Sequence, residues 1–219
     1  MSSFFKSLWS RTRKNPESRA LDHPRDLQKG DMLQLANHFG LPENLRDKVF
    51  RIIGVSTYQF EHEYETSFTL ESVGDKKLSF SIESDAGRDT VVFSQSISRR
   101  TVEELFDIDE FAEVFDSPDA VTLNTLNDAK IGGWAASQYF QQVKGEKGYY
   151  YENDYRTSGP PVHEGEGELF EYYLLVDGDD SHGVEIEVYA GGETEVSLTR
   201  YLDMEMIGGL WPADQAASK

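Results

Sequence analysis

The chain has 219 residues, of which 38% are apolar, and it carries 40 acidic against 21 basic residues. The formal charge of −19 disfavours nucleic-acid binding, because phosphate groups are recognised by clustered lysine and arginine. Cysteine is absent, which excludes disulfides, thiolate nucleophiles and zinc–cysteine sites. The length and the aromatic content predict a folded protein of one large or two small domains.

Charge is distributed unevenly along the chain. Residues 1–30 hold seven basic and three acidic residues, whereas the other positions hold fourteen basic and thirty-seven acidic ones. Apolar residues at helical spacing lie among the basic ones before Pro16, which predicts an amphipathic arm that binds a membrane or a protein partner. Its candidate binding residues are Phe4, Phe5, Lys6, Leu8, Trp9, Arg11, Arg13 and Lys14. The alternative is an arm that folds back on the acidic body.

The arm lacks the long apolar core and the cleavage site of a signal peptide. No apolar run in the chain approaches the roughly 20 residues of a membrane span. We therefore expect a cytoplasmic protein whose contact with a membrane, through the arm, is peripheral.

Two groups of short segments rich in β-branched and aromatic residues predict strands. The first group comprises 49–60, 65–73, 77–84 and 89–97, and the second comprises 148–156, 168–177, 184–190 and 194–202. In 77–84, Leu78, Phe80 and Ile82 alternate with serine and glutamate, which predicts a half-buried antiparallel strand.

One helix is predicted between the two groups, at 101–116. Thr101 and Glu104 have capping-box spacing, and Leu105, Ile108, Ala112 and Phe115 form an apolar stripe, with a bend expected near Asp107. Residues 117–146 are ambiguous. Within them 121–126 has strand character, whereas Ala136, Tyr139, Phe140 and Val143 have helical spacing.

The two groups of strands align with each other. Phe80 aligns with Ile186 and Phe93 with Leu198, so the offset stays near 105 residues, and Tyr58 aligns with Tyr155 at 97 residues. The fold class that this predicts is α+β: two similar antiparallel β-rich units, an internal repeat, joined by an amphipathic helix and preceded by a basic arm. The expected units are 1–30 for the arm and linker, 31–117 for the first unit with the helix, and 118–219 for the second. Whether the two repeats form one barrel, one sheet or two domains stays open.

The stretch DGDDSHG, residues 177–183, has the composition of a metal loop or of a hairpin tip. A calcium loop of the EF-hand type requires glycine where His182 stands and glutamate where Val188 stands, with helices on both sides. In the repeat alignment the stretch falls on the turn 73–77 between the second and third strands. We interpret it as an acidic hairpin turn and predict no metal site.

A weak cation site is predicted from carboxylates and aromatic residues. Glu61, Glu63 and Glu65 alternate and can bind a cation, although the polar face of an edge strand is the favoured interpretation. Tyr149, Tyr150, Tyr151 and Tyr155 have the composition of an aromatic cage. The candidate residues are Tyr58, Glu61, Glu63, Glu65, Tyr155 and Glu171.

No segment has the spacing of a nucleophile elbow, a phosphate-binding glycine loop or a histidine metal motif, so we expect no cofactor and name no catalytic residue. Glu71 and Glu171 are a candidate carboxylate pair of the kind that cleaves glycosides, but nothing in the sequence brings them together.

Four segments resemble the YjfK-like family of uncharacterised bacterial proteins: MSSFFKSLWS at the start, FRIIGVSTY, FEYYLLVDG, and YLDMEMIGGLW near the end. The resemblance lies in order and spacing over most of the chain. Members tend to be encoded beside a phage-shock-A-type membrane-remodelling protein, small membrane proteins and an enzyme similar to glutathionylspermidine synthase. The resemblance therefore implies a membrane-stress or polyamine context and supplies no catalytic residue.

We expect a non-enzymatic accessory protein whose acidic body binds a basic or helical partner of the phage-shock-A type, while the arm docks on a membrane or on that partner. The alternative is a binding module for polyamines or other small cations. The sequence leaves the oligomeric state open.

Overall fold

A computed structural model describes residues 19–71, 77–127, 131–161 and 166–213. The arm residues Phe4 to Lys14 lie outside the described residues, as does most of the turn 73–77. The described part is predominantly antiparallel sheet with two short helices, which confirms the β-rich character predicted from the sequence.

The first half of the chain provides five strands and both helices. They are β1 (Met32–Leu35), β2 (Val49–Gln59), β3 (Tyr64–Leu70), β4 (Leu78–Asp85), β5 (Arg88–Ile97), α1 (Arg99–Leu105) and α2 (Ile108–Asp116). The second half provides β6 (Thr122–Asn124), β7 (Gln138–Tyr151), β8 (Glu168–Val176), β9 (His182–Tyr189), β10 (Thr194–Asp203) and β11 (Ile207–Trp211).

All eleven strands belong to one sheet in the order β11-β1-β2-β3-β4-β5-β10-β9-β8-β7-β6. A further antiparallel pairing joins β2 to β7, with Tyr58 opposite Tyr150. This pairing closes eight strands, β2 to β5 and β7 to β10, into a ring. The question of one sheet or two domains is therefore answered by a single closed sheet, to which each half contributes four consecutive strands.

Alternation along the strands gives the ring an outer apolar face and an inner polar face. On β4, Leu78 and Phe80 point outwards, whereas Ser79 and Ser81 point inwards. Ser81 is only 5% exposed. The sequence pattern suggested a strand with one face in solvent, but closure of the ring encloses that polar face as well.

The main hydrophobic core lies outside the ring. Phe68, Phe80 and Phe93 stack on neighbouring strands, with ring centroids 4.8 Å and 6.2 Å apart. Phe50 and Trp134 cover this stack, because their rings lie 6.0 Å and 6.3 Å from that of Phe93. The stack joins β3, β4 and β5 to the start of β2, through Phe50, and to the segment before β7, through Trp134.

The single helix predicted at 101–116 is two helices. Phe106 is extended, and Asp107 begins α2 by accepting hydrogen bonds from the backbone N–H groups of Asp109 and Glu110. Ser98, and not Thr101, caps α1. The predicted apolar stripe is wrong at Ile108, which is 47% exposed, and at Ala112, which is also exposed. Among the described residues no helix is both long and apolar enough to cross a membrane.

The described residues of the ambiguous segment 117–146 contribute β6 and the start of β7. Its predicted strand is confirmed as β6, but the helical spacing of 136–143 is misleading, because these residues enter β7 and pair with β6 and β8. At the other end β7 stops at Tyr151, and Tyr155 lies beyond the strand. Tyr155, which the repeat alignment matches with Tyr58, therefore lies outside β7, whereas Tyr58 lies within β2 opposite Tyr150.

Candidate functional site: the cavity inside the ring

The ring encloses a narrow cavity whose wall includes residues from all eight ring strands. The cavity volume open to water-sized spheres is about 60 Å³. That is room for about five water molecules. The cavity as described therefore accepts a slender ligand and excludes ring systems.

Small side chains create this space. Six serines line the wall: Ser56, Ser67, Ser79, Ser81, Ser94 and Ser197. At the junction of the two halves, Ser94 on β5 and Thr199 on β10 lie opposite each other, with hydroxyl oxygens 2.9 Å apart. Because serine fills little of the interior, the larger wall side chains project into open space.

Five carboxylates and one ammonium group are the charged groups of the described cavity wall: Glu65, Glu83, Glu185, Glu187, Glu195 and Lys77. Lys77 is already paired, since its Nζ lies 3.1 Å from both carboxylate oxygens of Glu195. The other four carboxylates have no basic side chain among their hydrogen-bond partners in the described residues. The cavity thus has an excess of acidic groups in a confined space.

Hydroxyl groups hold the carboxylates in place. Glu185 accepts a 2.7 Å hydrogen bond from Thr199, and Glu65 accepts one from Ser81. Glu187 accepts from Tyr189 beside it and, at 3.4 Å, from Tyr58 on the far wall. These neutral donors orient the carboxylates without neutralising them.

Burial raises the pKa of the inner carboxyl groups. The pKa of Glu185 is raised to about 8, first by burial and then by the nearby charge of Glu65. Burial likewise raises the pKa of Glu65 and of Glu187 to about 7. Burial lowers the pKa of Lys77, but Glu195 outweighs this and leaves it above its ordinary value. Three carboxyl groups of the cavity therefore change charge near neutral pH.

Aromatic rings complete the wall. Tyr58, Tyr150 and Tyr172 line the cavity, and burial with nearby glutamates raises the pKa of each phenol. The ring of Tyr58 lies 5.1 Å from that of Tyr150 and 5.6 Å, edge-on, from that of Phe170. The phenol groups stay neutral at physiological pH and present hydroxyls and π faces to a ligand.

The structure separates the predicted cation-site residues. Tyr58 and Glu65 lie in the cavity wall, but Glu61 and Glu63 precede β3 in an exposed turn. β3 lies between β2 and β4 in the sheet, but at Glu65 it pairs with β2 alone, so this residue lies on a locally unpaired edge whose polar face borders the cavity.

The other two residues of that set, Tyr155 and Glu171, are also elsewhere. Tyr155 packs against Tyr151 outside the strand, and Glu171 accepts a 3.2 Å hydrogen bond from Tyr173, which packs against α2. Of the expected aromatic cage, only Tyr150 lines the cavity. Glu71 is paired with Arg51 at 3.3 Å and has no contact in common with Glu171.

The cation site predicted from the sequence lacks six residues that line the cavity: Lys77, Glu83, Tyr172, Glu185, Glu187 and Glu195. The available signal was the alternation in 184–190, where Val184, Ile186 and Val188 are separated by glutamates. Such alternation ordinarily indicates a solvent-exposed face, and only the closure of the ring places this face inside.

The stretch 177–183 is the hairpin turn between β8 and β9, as predicted. Asp177 accepts hydrogen bonds from the backbone N–H groups of Ser181 and His182 at 2.7 Å and 3.0 Å, and its other oxygen contacts the His182 ring at 2.9 Å. Burial acts against ionisation of Asp177, but these hydrogen bonds outweigh it and lower its pKa. Within the described ranges, no group of three acidic or histidine residues is arranged to hold a metal ion.

No protein-family model, curated protein or solved structure matches this chain.

Proposed function

We propose that the protein binds a linear aliphatic diamine or polyamine inside the ring. The observation that carries this proposal is the imbalance of the cavity wall, in which the three buried carboxylates, those of Glu65, Glu185 and Glu187, lack a basic hydrogen-bond partner among the described residues. Buried charges are costly unless they are paired, so a cation bound beside these carboxylates would offset the cost of their burial.

The spacing of the carboxylates favours a ligand with two or more ammonium groups. Glu185 and Glu187 lie two residues apart on the same face of β9, which places them about 6.6 Å apart along the strand. This matches the separation of two ammonium groups joined by three or four methylene groups. The methylene groups would lie against the rings of Tyr58 and Tyr172. An ammonium group next to either ring face would gain cation–π attraction in addition to its contacts with carboxylates.

The narrow cavity favours a ligand with an unbranched alkyl chain. An unbranched alkyl chain that ends in ammonium groups is about as wide as a single row of water molecules, so it fits the cavity. Nucleotides and aromatic compounds are too wide. Serine hydroxyls along the wall supply acceptors for the remaining N–H groups.

Calorimetry with putrescine and spermidine at about 0.15 M salt tests the proposal. We expect saturable heat with one amine bound per chain. The matched ligand control is 1,4-butanediol, which has the length of putrescine but no charge and should give no heat. Heat that disappears at this salt concentration would mean only non-specific attraction to an acidic surface and would refute the proposal.

We also propose, as a separate role, that the basic arm anchors the protein to an anionic membrane or to a partner of the phage-shock-A type. Its support is the sequence: four large apolar and four basic candidate residues, which lie outside the described residues. Flotation with anionic liposomes compares the full chain with a chain lacking residues 1–16. Equal flotation, with and without the partner, would refute this role.

We propose further that the two halves derive from one repeated unit. The support is that β2 to β5 and β7 to β10 have the same strand order, and that Ser94 pairs with Thr199, 105 residues further on. Superposition of the two four-stranded segments in an experimental structure tests the repeat. Equivalent strands that fail to coincide would contradict it.

A further inference from the structure

The wall of the ring is incomplete between β3 and β4. These strands pair only at Phe68–Phe80, Thr69–Ser79 and Leu70–Leu78. Residues 64–67 of β3 pair with β2 alone, and residues 81–85 of β4 pair with β5 alone. The two strands therefore separate after Phe68, and the backbone ladder that seals the rest of this wall stops halfway.

A groove on the outer surface lies over this separation. It is lined by residues of both diverging strands, among them Tyr64, Thr66, Ile82 and Asp85. Glu65 and Glu83 line both this outer groove and the inner cavity. The same two side chains thus border the space on both sides of the wall, and the groove and the cavity meet between them.

Side chains, and not backbone, bridge the separation. Ser81 on β4 donates a hydrogen bond to the carboxylate of Glu65 on β3. A hydrogen bond between two side chains can open without breaking any backbone pair of the ladder. The separation can therefore widen without breaking the pairing of β3 with β2 or of β4 with β5.

The rim of the groove, where β3 and β4 diverge, is held by hydrogen bonds and carries negative charge. On one side Arg25 binds Asp89 at 2.8 Å and Ser84 at 2.7 Å, which ties the end of β4 to the start of β5. Arg156 lies over the ring of Phe68, 5.3 Å from its centroid, and bonds the backbone carbonyl of Leu27. These contacts hold the two strand ends where they diverge, while Glu63, Glu65, Glu83 and Asp85 present carboxylates to an approaching cation.

We infer that the amine enters and leaves the cavity from the side, through the separation between β3 and β4, with Glu65 and Glu83 as its first contacts. This inference rests on the proposed amine-binding function. A linear cation would pass end-on from the acidic groove to Glu65 and then to Glu185 and Glu187 deeper inside. Passage would require only that the Ser81–Glu65 hydrogen bond opens.

The absence of cysteine allows a direct test, because a single introduced thiol is unique in the chain. Thr66→Cys and, as a second variant on the opposite rim, Ile82→Cys are labelled with a bulky maleimide. The matched control is Glu113→Cys on the exposed face of α2, labelled in the same way. Association and dissociation rates of ¹³C-labelled spermidine are measured by NMR exchange spectroscopy before and after labelling.

We expect the labels at positions 66 and 82 to slow both rates at least about tenfold with little change in affinity, because an obstructed entrance hinders entry and exit equally. The label at position 113 should change neither rate. If both labelled rim variants bind and release spermidine at the wild-type rates, the side entrance is wrong, whereas the proposal of amine binding is unaffected. If the unlabelled wild-type protein binds no amine, the proposed function fails, and the entrance with it.

Discussion

Tyr58 on β2 donates a hydrogen bond from its hydroxyl to Glu187 on β9, across 3.4 Å of the ring interior and 129 positions of sequence. Tyr189 donates to the same carboxylate. Two neutral phenols therefore orient a carboxylate that has no basic side chain among its described hydrogen-bond partners. A hydroxyl group likewise donates to Glu185 from Thr199 and to Glu65 from Ser81, so neutral donors orient three carboxyl groups of the interior.

Replacing Glu185 by glutamine should weaken amine binding. The substitution preserves size and removes one charge-assisted contact, which is worth about 1.5–3 kcal/mol, so we expect at least a tenfold rise in Kd by calorimetry. Glu61→Gln is the matched control, because Glu61 lies in the exposed turn before β3 and its side chain is 82% exposed. Equal effects of the two substitutions would indicate surface attraction and not a site in the cavity.

Amine binding should release protons and strengthen as pH rises. The pKa values of Glu65 and Glu187 are about 7 and that of Glu185 about 8, so these groups are partly protonated at neutral pH. A bound cation favours their ionised forms. Affinity should therefore increase between about pH 6 and pH 8. Titrations in buffers of different ionisation enthalpy measure the released protons, and a heat that is independent of the buffer would count against this linkage.

Stability without ligand should depend on pH in the opposite direction. A glutamate whose folded pKa lies above its unfolded value of 4.5 binds more protons when folded, so its contribution to stability is lost as pH rises through the folded pKa. We expect the Tm of the ligand-free protein to fall between about pH 5 and pH 8, that is, between the unfolded and the folded pKa values of these groups. Over this range Glu185→Gln should show a shallower fall, measured by thermal unfolding. A Tm that rises in both proteins would contradict the assignment of these groups to the interior.

The stacked phenylalanines should dominate the stability of the outer core. Phe80 is 1% exposed and contacts Phe68 and Phe93, so Phe80→Ala should lower the free energy of unfolding by about 3–5 kcal/mol in urea denaturation. Phe39 provides the control, because it is 84% exposed and its replacement by alanine should cost less than about 0.5 kcal/mol. A small effect at Phe80 would mean that the outer core is not the main source of stability.

The strands were predictable because the alternation of apolar and polar residues that indicates a strand lies within each segment. Leu78, Phe80 and Ile82 alternate with polar residues, and the structure has β4 there. The break in the helix at Asp107 was foreseen only as a bend, because Asp107 competes for backbone N–H groups that a continuous helix would need. Residues 136–143 have helical spacing, but pairing of β7 with two neighbouring strands overrides that preference.

The cavity was not predictable for a different reason. It depends on the pairing of Tyr58 with Tyr150 and of Ser94 with Thr199, and pairing between distant segments leaves no local pattern. Without those pairings, Glu185 and Glu187 have the sequence context of a solvent-exposed face. Their burial, and with it their raised pKa values, follows only from closure of the ring.

Intermolecular NOEs test most directly whether the amine binds inside the ring, as we propose. We expect NOEs from the methylene protons of spermidine to the ring protons of Tyr58 and Tyr172, which line the cavity from opposite halves of the ring. Assignments follow from Tyr→Phe substitution at each position. NOEs confined to rings outside the cavity, such as Tyr155, or saturable heat without any NOE to Tyr58 or Tyr172, would contradict binding inside the ring.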